Sequence, residues 1–361
     1  MGDDLSKCCR DVHTCRLRIV RQYSTERDRS MDRPAFGTVL APRMGIATYR
    51  DGAWGPYETV PVAPITLSPA AHVLHYGSSC FEGFKAYRWR DESVHLFRLD
   101  RHIERLRQSA RALVLPEPNA DLIRDMVHAT IAANRGEVPE APGALYMRPI
   151  LFGTTANIGA ASTPSLEASL IVLASPVWDY FAGGAKPLRI FVEDVNSRTA
   201  TQTGRVKTGG NYAAALGPAI EARTRYKADQ VLYCPGGEVQ ETGAANFLLI
   251  RDGRLLTRSL DSTFLHGVTR DALLTIARDE GYKVEERVFD VSEMLEWVRD
   301  GEAALSGTAA VLAGVGTLIH RGVEHKVGDG NVGPLTQKLR ERLVSLQRGE
   351  ITDPYGWTTK V

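Results

Sequence analysis

Between Phe36 and about Ser175 the apolar positions switch between two periods. Val94 to Leu99 has the apolar density of a strand, and Ile103, Leu106, Ala110 and Leu113 then recur at helical spacing. The pattern predicts a strand, a cap at Asp100 and a helix ended by Pro116 and Pro118. Leu122, Met126 and Ile131 predict a second helix, closed by Gly136, and Ser169-Leu170-Ile171-Val172-Leu173 a buried strand. Asp51-Gly52, inside Tyr49 to Gly55, marks a turn between short runs.

Pro176 to Pro187, with Gly183-Gly184 inside, reads as a connection between domains. A second block begins at Leu188 to Glu193. It continues with a helix from near Asn211 through Leu216, which Pro218 kinks or breaks, and strands at Gln230–Tyr233 and Phe247–Ile250. Asp252-Gly253 signals a hairpin, a helix runs from Thr269 to Gly281, and a last helix surrounds Leu335 to Leu346. The expected class is α+β, largely antiparallel, without regular βαβ alternation. The expected division is an extension over 1–30, a small domain over 31–175, a connection over 176–187 and a large domain over 188–361.

Residues 1–30 have no periodic apolar face and no apolar signal core. Their arginines suggest a transit peptide, but Asp3, Asp4, Asp11, Glu26 and Asp28 argue against one, so this stretch is given no role in the fold. It reads as a disordered extension or as an upstream start ahead of Met31.

Composition narrows the function classes. The chain has 361 residues, 43% hydrophobic and 24% charged, enough apolar material for about two domains. A formal charge of +1 supplies no field toward nucleic acid or anionic lipid. The longest apolar stretch, around Leu170 to Ala174, is too short to span a bilayer. Cys8, Cys9 and Cys15 crowd the first residues, and Cys80 and Cys234 stand alone, so reduced thiols are expected. His72 and His75 read as packing or surface residues rather than metal ligands. A cytoplasmic enzyme is expected, with the mitochondrial matrix as second choice.

The strongest local signal is Gly204-Arg205-Val206-Lys207-Thr208-Gly209-Gly210-Asn211-Tyr212. A P-loop is excluded, because Val206 stands where its last glycine belongs. An exposed loop lysine remains one reading. The other is a lysine that condenses with a flat aldehyde cofactor, its glycines letting backbone approach. Pyridoxal phosphate would need an acid at its ring nitrogen and anion nests at its phosphate. Glu241, the helix start at Gly267-Val268-Thr269 and the turn Ser306-Gly307-Thr308 are candidates. Singly, each also reads as a surface acid, a plain N-cap and a plain turn.

Taken together, FEGFKAYR (Phe81 to Arg88), LYMRP (Leu145 to Pro149), KTGGNY (Lys207 to Tyr212), ETGAANF (Glu241 to Phe247), GVTRD (Gly267 to Asp271) and SGTAA (Ser306 to Ala310) resemble the branched-chain amino-acid aminotransferases. These are class IV aminotransferases, fold-type IV pyridoxal phosphate enzymes, and the resemblance runs from about Phe36 to the last helix. It implies a two-domain fold with a small N-terminal α/β domain and a larger C-terminal cofactor domain of mixed sheets and helices. It implies pyridoxal 5′-phosphate as cofactor and transfer of the amino group of leucine, isoleucine or valine to 2-oxoglutarate. By the same resemblance Lys207 carries the cofactor and moves the proton, Tyr212 bonds the phenolate oxygen and Glu241 bonds the ring nitrogen. Arg105, Val268, Thr269 and Thr308 match phosphate-binding positions; without the resemblance Arg105 reads as a solvated helix residue. Phe36, Tyr76, Phe81, Tyr146, Arg148 and Tyr180 match pocket-lining positions, and Ala309 lies near the substrate carboxylate. The partners implied are amino acids, 2-oxo acids and a second copy of the chain, in a homodimer or larger assembly.

Three departures stand out. Ala244 occupies a place where many relatives carry Thr or Gly, and His266 replaces a proline before GVTRD. Residues 309–314 lack the paired cysteines of a redox switch. Other class IV activities on the same scaffold are D-amino-acid transamination, aminodeoxychorismate lysis and amine transamination. A non-catalytic pyridoxal phosphate-binding protein is the alternative from another class.

Overall fold

The computed structural model describes residues 34–178 and 186–361, and residues 35–361 form one compact unit. Two sheets carry it. The first is wholly antiparallel, with nine strands. Its central path runs Thr358–Lys360, Val94–Phe97, Phe84–Arg88, Ala144–Gly153, Ala168–Val177, Arg43–Arg50 and Ala53–Trp54. Glu58–Pro61 pairs with the Arg43–Arg50 strand, and Ser79–Phe81 with the Ala144–Gly153 strand.

Helices Leu99–Ala112 and Ala120–Ala133 cover one face of this sheet. Ile103, Leu106, Ile123 and Met126 pack there with Leu96, Leu145, Met147 and Leu170. The first helix begins without the expected cap. Arg98 takes the N-cap position in the left-handed region, at φ 53°, with no side-chain bond to the helix, and Asp100 lies inside the first turn. The second helix is capped by Asn119, whose side chain accepts from the Leu122 N–H. Asp51-Gly52 makes the expected tight turn, both residues at positive φ. Pro176 and Val177, expected in the connection, complete a strand of the first sheet, and the chain's last strand joins that sheet too.

The second sheet has eight strands, with a path through Gln230–Tyr233, Leu188–Glu193, Val311–His320, Glu302–Gly307, Asn246–Arg251, Arg254–Thr257 and Lys283–Glu286. It is a mixed sheet without regular βαβ alternation, but it holds two separate crossovers of that kind. Leu188–Glu193 and Gln230–Tyr233 pair in parallel across helix Gly209–Tyr226. Arg254–Thr257 and Lys283–Glu286 do the same across helix Val268–Asp279. Pro218 stays inside its helix without ending it. Helices Val268–Asp279 and Pro334–Gln347 pack together, and their Leu273, Leu339 and Leu343 share a core with Tyr87, Phe97 and Tyr146 of the first sheet and Leu248 and Ala304 of the second. Among the described residues no helix is long and apolar enough to cross a membrane.

Candidate active site

The Lys207 loop is pinned on three sides. Gly204 passes the Thr263 carbonyl so closely that a Cβ would lie 2.2 Å from it, which requires glycine here. Asn211 Nδ2 donates to the Thr203 and Val206 carbonyls at 2.8 and 2.9 Å, closing the loop onto the following helix. The Lys207 N–H donates to Ser109 Oγ at 3.1 Å, and the Lys207 carbonyl accepts from the Phe81 N–H at 3.0 Å. Its amine is thereby aimed at Tyr212, donating to the phenol oxygen at 2.7 Å, and stands 5.1 Å from the centre of the Phe81 ring.

Glu241 is no surface acid: it is 2% exposed. One carboxylate oxygen accepts from the Leu265 N–H at 2.9 Å and forms an ion pair with Arg198 Nη2 at 2.9 Å, and the other accepts from Asn246 Nδ2 at 3.0 Å. Burial pushes its carboxyl up to about 7, against the opposing pull of Arg198. Asn246 also donates to the Leu265 carbonyl at 2.9 Å. Gly267 must lack a side chain, because a Cβ would fall 2.0 Å from Asn246 Oδ1. The acid and the start of the Val268 helix are therefore built as one piece.

Arg105 is 8% exposed, so the solvated reading of its helix face fails. Its Nε and Nη2 donate to the two oxygens of Glu82 at 2.6 and 3.0 Å, and Nη1 donates to the His266 carbonyl at 3.0 Å. Next in sequence, Gly267 caps the Val268–Asp279 helix without a side-chain bond, leaving the first-turn N–H groups near Val268 and Thr269 open to an anion. Among the described residues Ser306 Oγ is buried without a partner at the end of the neighbouring strand, just before Gly307 and Thr308. A buried acid, a buried guanidinium, an uncapped helix start and an orphaned hydroxyl fit a group with a protonated ring at one end and a phosphate at the other.

Beside the lysine lies an aromatic box. Phe36 meets Tyr146 edge-on at 4.8 Å, Arg148 Nη2 donates to the Tyr146 phenol at 2.9 Å, and the Arg148 guanidinium lies 4.6 Å over the Phe81 ring. Burial raises the Tyr146 phenol, with Arg148 acting against it. Arg148 Nε is buried without a partner among the described residues. Ala309 presents its carbonyl to Lys85 Nζ at 2.8 Å.

Tyr76 is placed differently. It ends the short helix His72–Tyr76, lies against His72 and His75, and donates its phenol proton to the Ile158 carbonyl. Tyr180 lies outside the described residues. His72 is a packing residue, its ring nitrogens bonded to Ser78 Oγ and the Thr163 carbonyl at 2.8 and 3.0 Å. His266 donates from Nε2 to the Asp261 carbonyl at 2.7 Å, which ties down the segment before Gly267. Sequence reasoning passed over Glu82, His102, Arg198 and Asn246 as site residues. Glu82 and Asn246 stand inside quoted motifs, whereas Arg198 has no local signal.

A family model for amino-transferase class IV matches residues 79–316, and the chain belongs to that family. It is 38% identical over 346 residues to a probable branched-chain-amino-acid aminotransferase of Streptomyces coelicolor, covering 92% of this chain and 94% of the relative. The branched-chain-amino-acid aminotransferase of Mycobacterium tuberculosis is also 38% identical, over 96% of this chain and 97% of its own length. Among solved structures, the T.th. branched-chain amino acid aminotransferase with pyridoxamine 5′-phosphate matches with a TM-score of 0.72 and 26% identity, over 87% of this chain and 97% of that one. The same enzyme has been solved with N-(5′-phosphopyridoxyl)-L-glutamate and with 4-methylvaleric acid.

Proposed function

We propose that this chain transfers the amino group of L-leucine, L-isoleucine or L-valine to 2-oxoglutarate, giving the branched-chain 2-oxo acid and L-glutamate in two half-reactions at one site. Pyridoxal 5′-phosphate is the cofactor; when bound it supplies an aldehyde that accepts the amino group and a ring that spreads the charge left as Cα loses its proton. The rest is work for this chain's own residues. Lys207 Nζ is the nucleophile and then the base that takes the proton from the substrate Cα and returns it. Tyr212 hydrogen-bonds the ring oxygen, and Glu241 holds the proton on the ring nitrogen. Arg105, Val268, Thr269 and Thr308 hold the phosphate.

The observation that carries the substrate assignment is Arg148, a guanidinium lying on an aromatic face and bonded to a phenol. Phe36, Phe81 and Tyr146 offer apolar surface to a leucine side chain, while Arg148 offers a charge to the distal carboxylate of glutamate. Ala309 takes the substrate's own carboxylate. That one similar enzyme is known with both a glutamate adduct and an apolar branched acid supports a pocket of this kind.

Tyr76, turned toward Ile158, and Tyr180 complete the pocket in this reading, with a homodimer bringing subunits together around it. The chain is read as a small lobe over 31–175 and a large lobe over 188–361, joined through 176–187 after an extension over 1–30, with Pro176, Val177 and the last strand Thr358–Lys360 completing the sheet of the small lobe. The cytoplasm is the compartment proposed; Cys80 and Cys234 are free, buried thiols.

The test is a panel of L-amino acids, D-amino acids and simple amines with 2-oxoglutarate as acceptor, run beside sedimentation of the purified chain. Turnover confined to L-leucine, L-isoleucine and L-valine, at twice the chain mass, is expected. Turnover confined to D-amino acids or amines overturns the substrate assignment.

A further inference from the structure

We infer that Glu82 is a positioning residue, which holds the Arg105 guanidinium in the one orientation that serves the cofactor's phosphate. The inference rests on the reading of Arg105 as a phosphate ligand. Glu82 lies between strands Ser79–Phe81 and Phe84–Arg88 and is 1% exposed. It takes Arg105 Nε on one oxygen and Nη2 on the other, at 2.6 and 3.0 Å, a fork-to-fork pair. Its second oxygen also accepts from His102 Nδ1 at 2.7 Å and from the Gly83 N–H at 3.1 Å. An ionised carboxylate only accepts, so His102 carries its proton on Nδ1. Glu82 is itself fixed from two further sides and cannot swing with its partner.

A guanidinium has five N–H bonds. Two of Arg105's go to Glu82 and one to the His266 carbonyl, which directly precedes the Gly267 cap. The remaining two are left for an anion at the helix start, with no rotamer freedom to lose when the anion arrives. This accounts for a carboxylate buried next to the place where a phosphate binds, where its charge alone is unfavourable. The rival role is charge neutralisation of a buried arginine. The two differ in sign: without Glu82, lost orientation weakens phosphate binding, whereas lost neutralisation tightens it.

The experiment titrates the full chain with pyridoxal phosphate and with pyridoxal, which lacks the phosphate, for the wild type, Glu82→Gln, Glu82→Asp, Arg105→Met and the double variant Glu82→Gln/Arg105→Met. Both Glu82 variants are expected to weaken pyridoxal phosphate by roughly tenfold to a hundredfold, the worth of a hydrogen bond to a charged group, and to leave pyridoxal unchanged. In the Arg105→Met background the Glu82 substitution is expected to do nothing more. Equal losses for both ligands, or tighter pyridoxal phosphate, overturn the inference. If Arg105→Met itself leaves the preference for the phosphorylated ligand intact, the phosphate assignment fails first and Glu82 has nothing to position. Should the Glu82 variants not fold, His102→Gln loosens the same carboxylate without unpairing Arg105. A smaller loss confined to pyridoxal phosphate is then expected, and no such loss overturns the inference.

Discussion

The Lys207 amine and the Tyr212 phenol are 2.7 Å apart, five residues along one chain but on opposite sides of a helix start. The amine is held there by Ser109 and Phe81, which grip its backbone on both sides. Replacing Lys207 with Ala removes both the nucleophile and the base. Loss of the base alone costs roughly 10²–10⁴ in rate, and losing the nucleophile adds to it. Single-turnover rates and the visible absorbance of the purified chain are the measurements. Near-normal transamination by Lys207→Ala defeats the assignment.

Glu241 gives a prediction with a definite sign. Its carboxyl titrates at about 7 in the fold, raised by burial, against an unfolded value of roughly 4.3. The folded chain therefore holds this proton more tightly. The contribution to stability is full below the unfolded value and is lost as pH rises through about 7. Melting of the cofactor-free protein from pH 4.5 to 7.5 should show wild type losing ground steadily against Glu241→Gln. A gap that does not change with pH removes Glu241 as the source. The same variant should fold and take up cofactor yet lose most turnover, because an amide cannot hold the ring proton as a carboxylate does.

The first helix shows what the sequence reveals and what it hides. Ile103, Leu106 and Ala110 mark its buried face by spacing alone. Arg105 sits between them, and periodicity carries no sign that a charged residue turns inward. That depends on Glu82, supplied by the link between strands Ser79–Phe81 and Phe84–Arg88. Arg198 is hidden for the same reason, since its partner Glu241 comes from a distant part of the chain. The two βαβ units were illegible because their parallel pairs join strands separated by whole helices. Motifs, by contrast, pack several contacts into few residues, and so Lys207, Tyr212 and Glu241 could be singled out before the fold was in view.

Gly83 is a steric prediction. A Cβ there would fall 1.8 Å from the Tyr146 phenol oxygen. Gly83→Ala should push that side chain aside and break its bond to Arg148, now 2.9 Å long. Overpacking of this kind costs about 1–3 kcal/mol, so the variant should fold with a lowered melting temperature. Cofactor absorbance should be kept while KM rises for leucine and glutamate. Unchanged KM for both would mean that Tyr146 moves without consequence and does not shape the pocket.

Arg148 decides how one pocket reads two substrates. Its guanidinium lies 4.6 Å over Phe81 and 5.3 Å from the Tyr146 ring centre, bonded to that phenol, and its Nε has no partner among the described residues. A buried N–H without an acceptor is costly, and the distal carboxylate of glutamate or 2-oxoglutarate would satisfy it. Leucine needs only the aromatic surface and leaves the guanidinium as it stands. A hydrogen bond to a charged group contributes about 1.5–3 kcal/mol, which corresponds to roughly tenfold to a hundredfold. Arg148→Met should weaken glutamate and 2-oxoglutarate by that factor and change the leucine half-reaction little, since methionine keeps apolar volume over Phe81. Pre-steady-state rates for each half-reaction separately are the measurement, with the melting temperature of the variant as control. Equal losses for leucine and glutamate, with stability intact, would make Arg148 a scaffold for Tyr146 and Phe81 and place recognition of the acidic substrate on another residue.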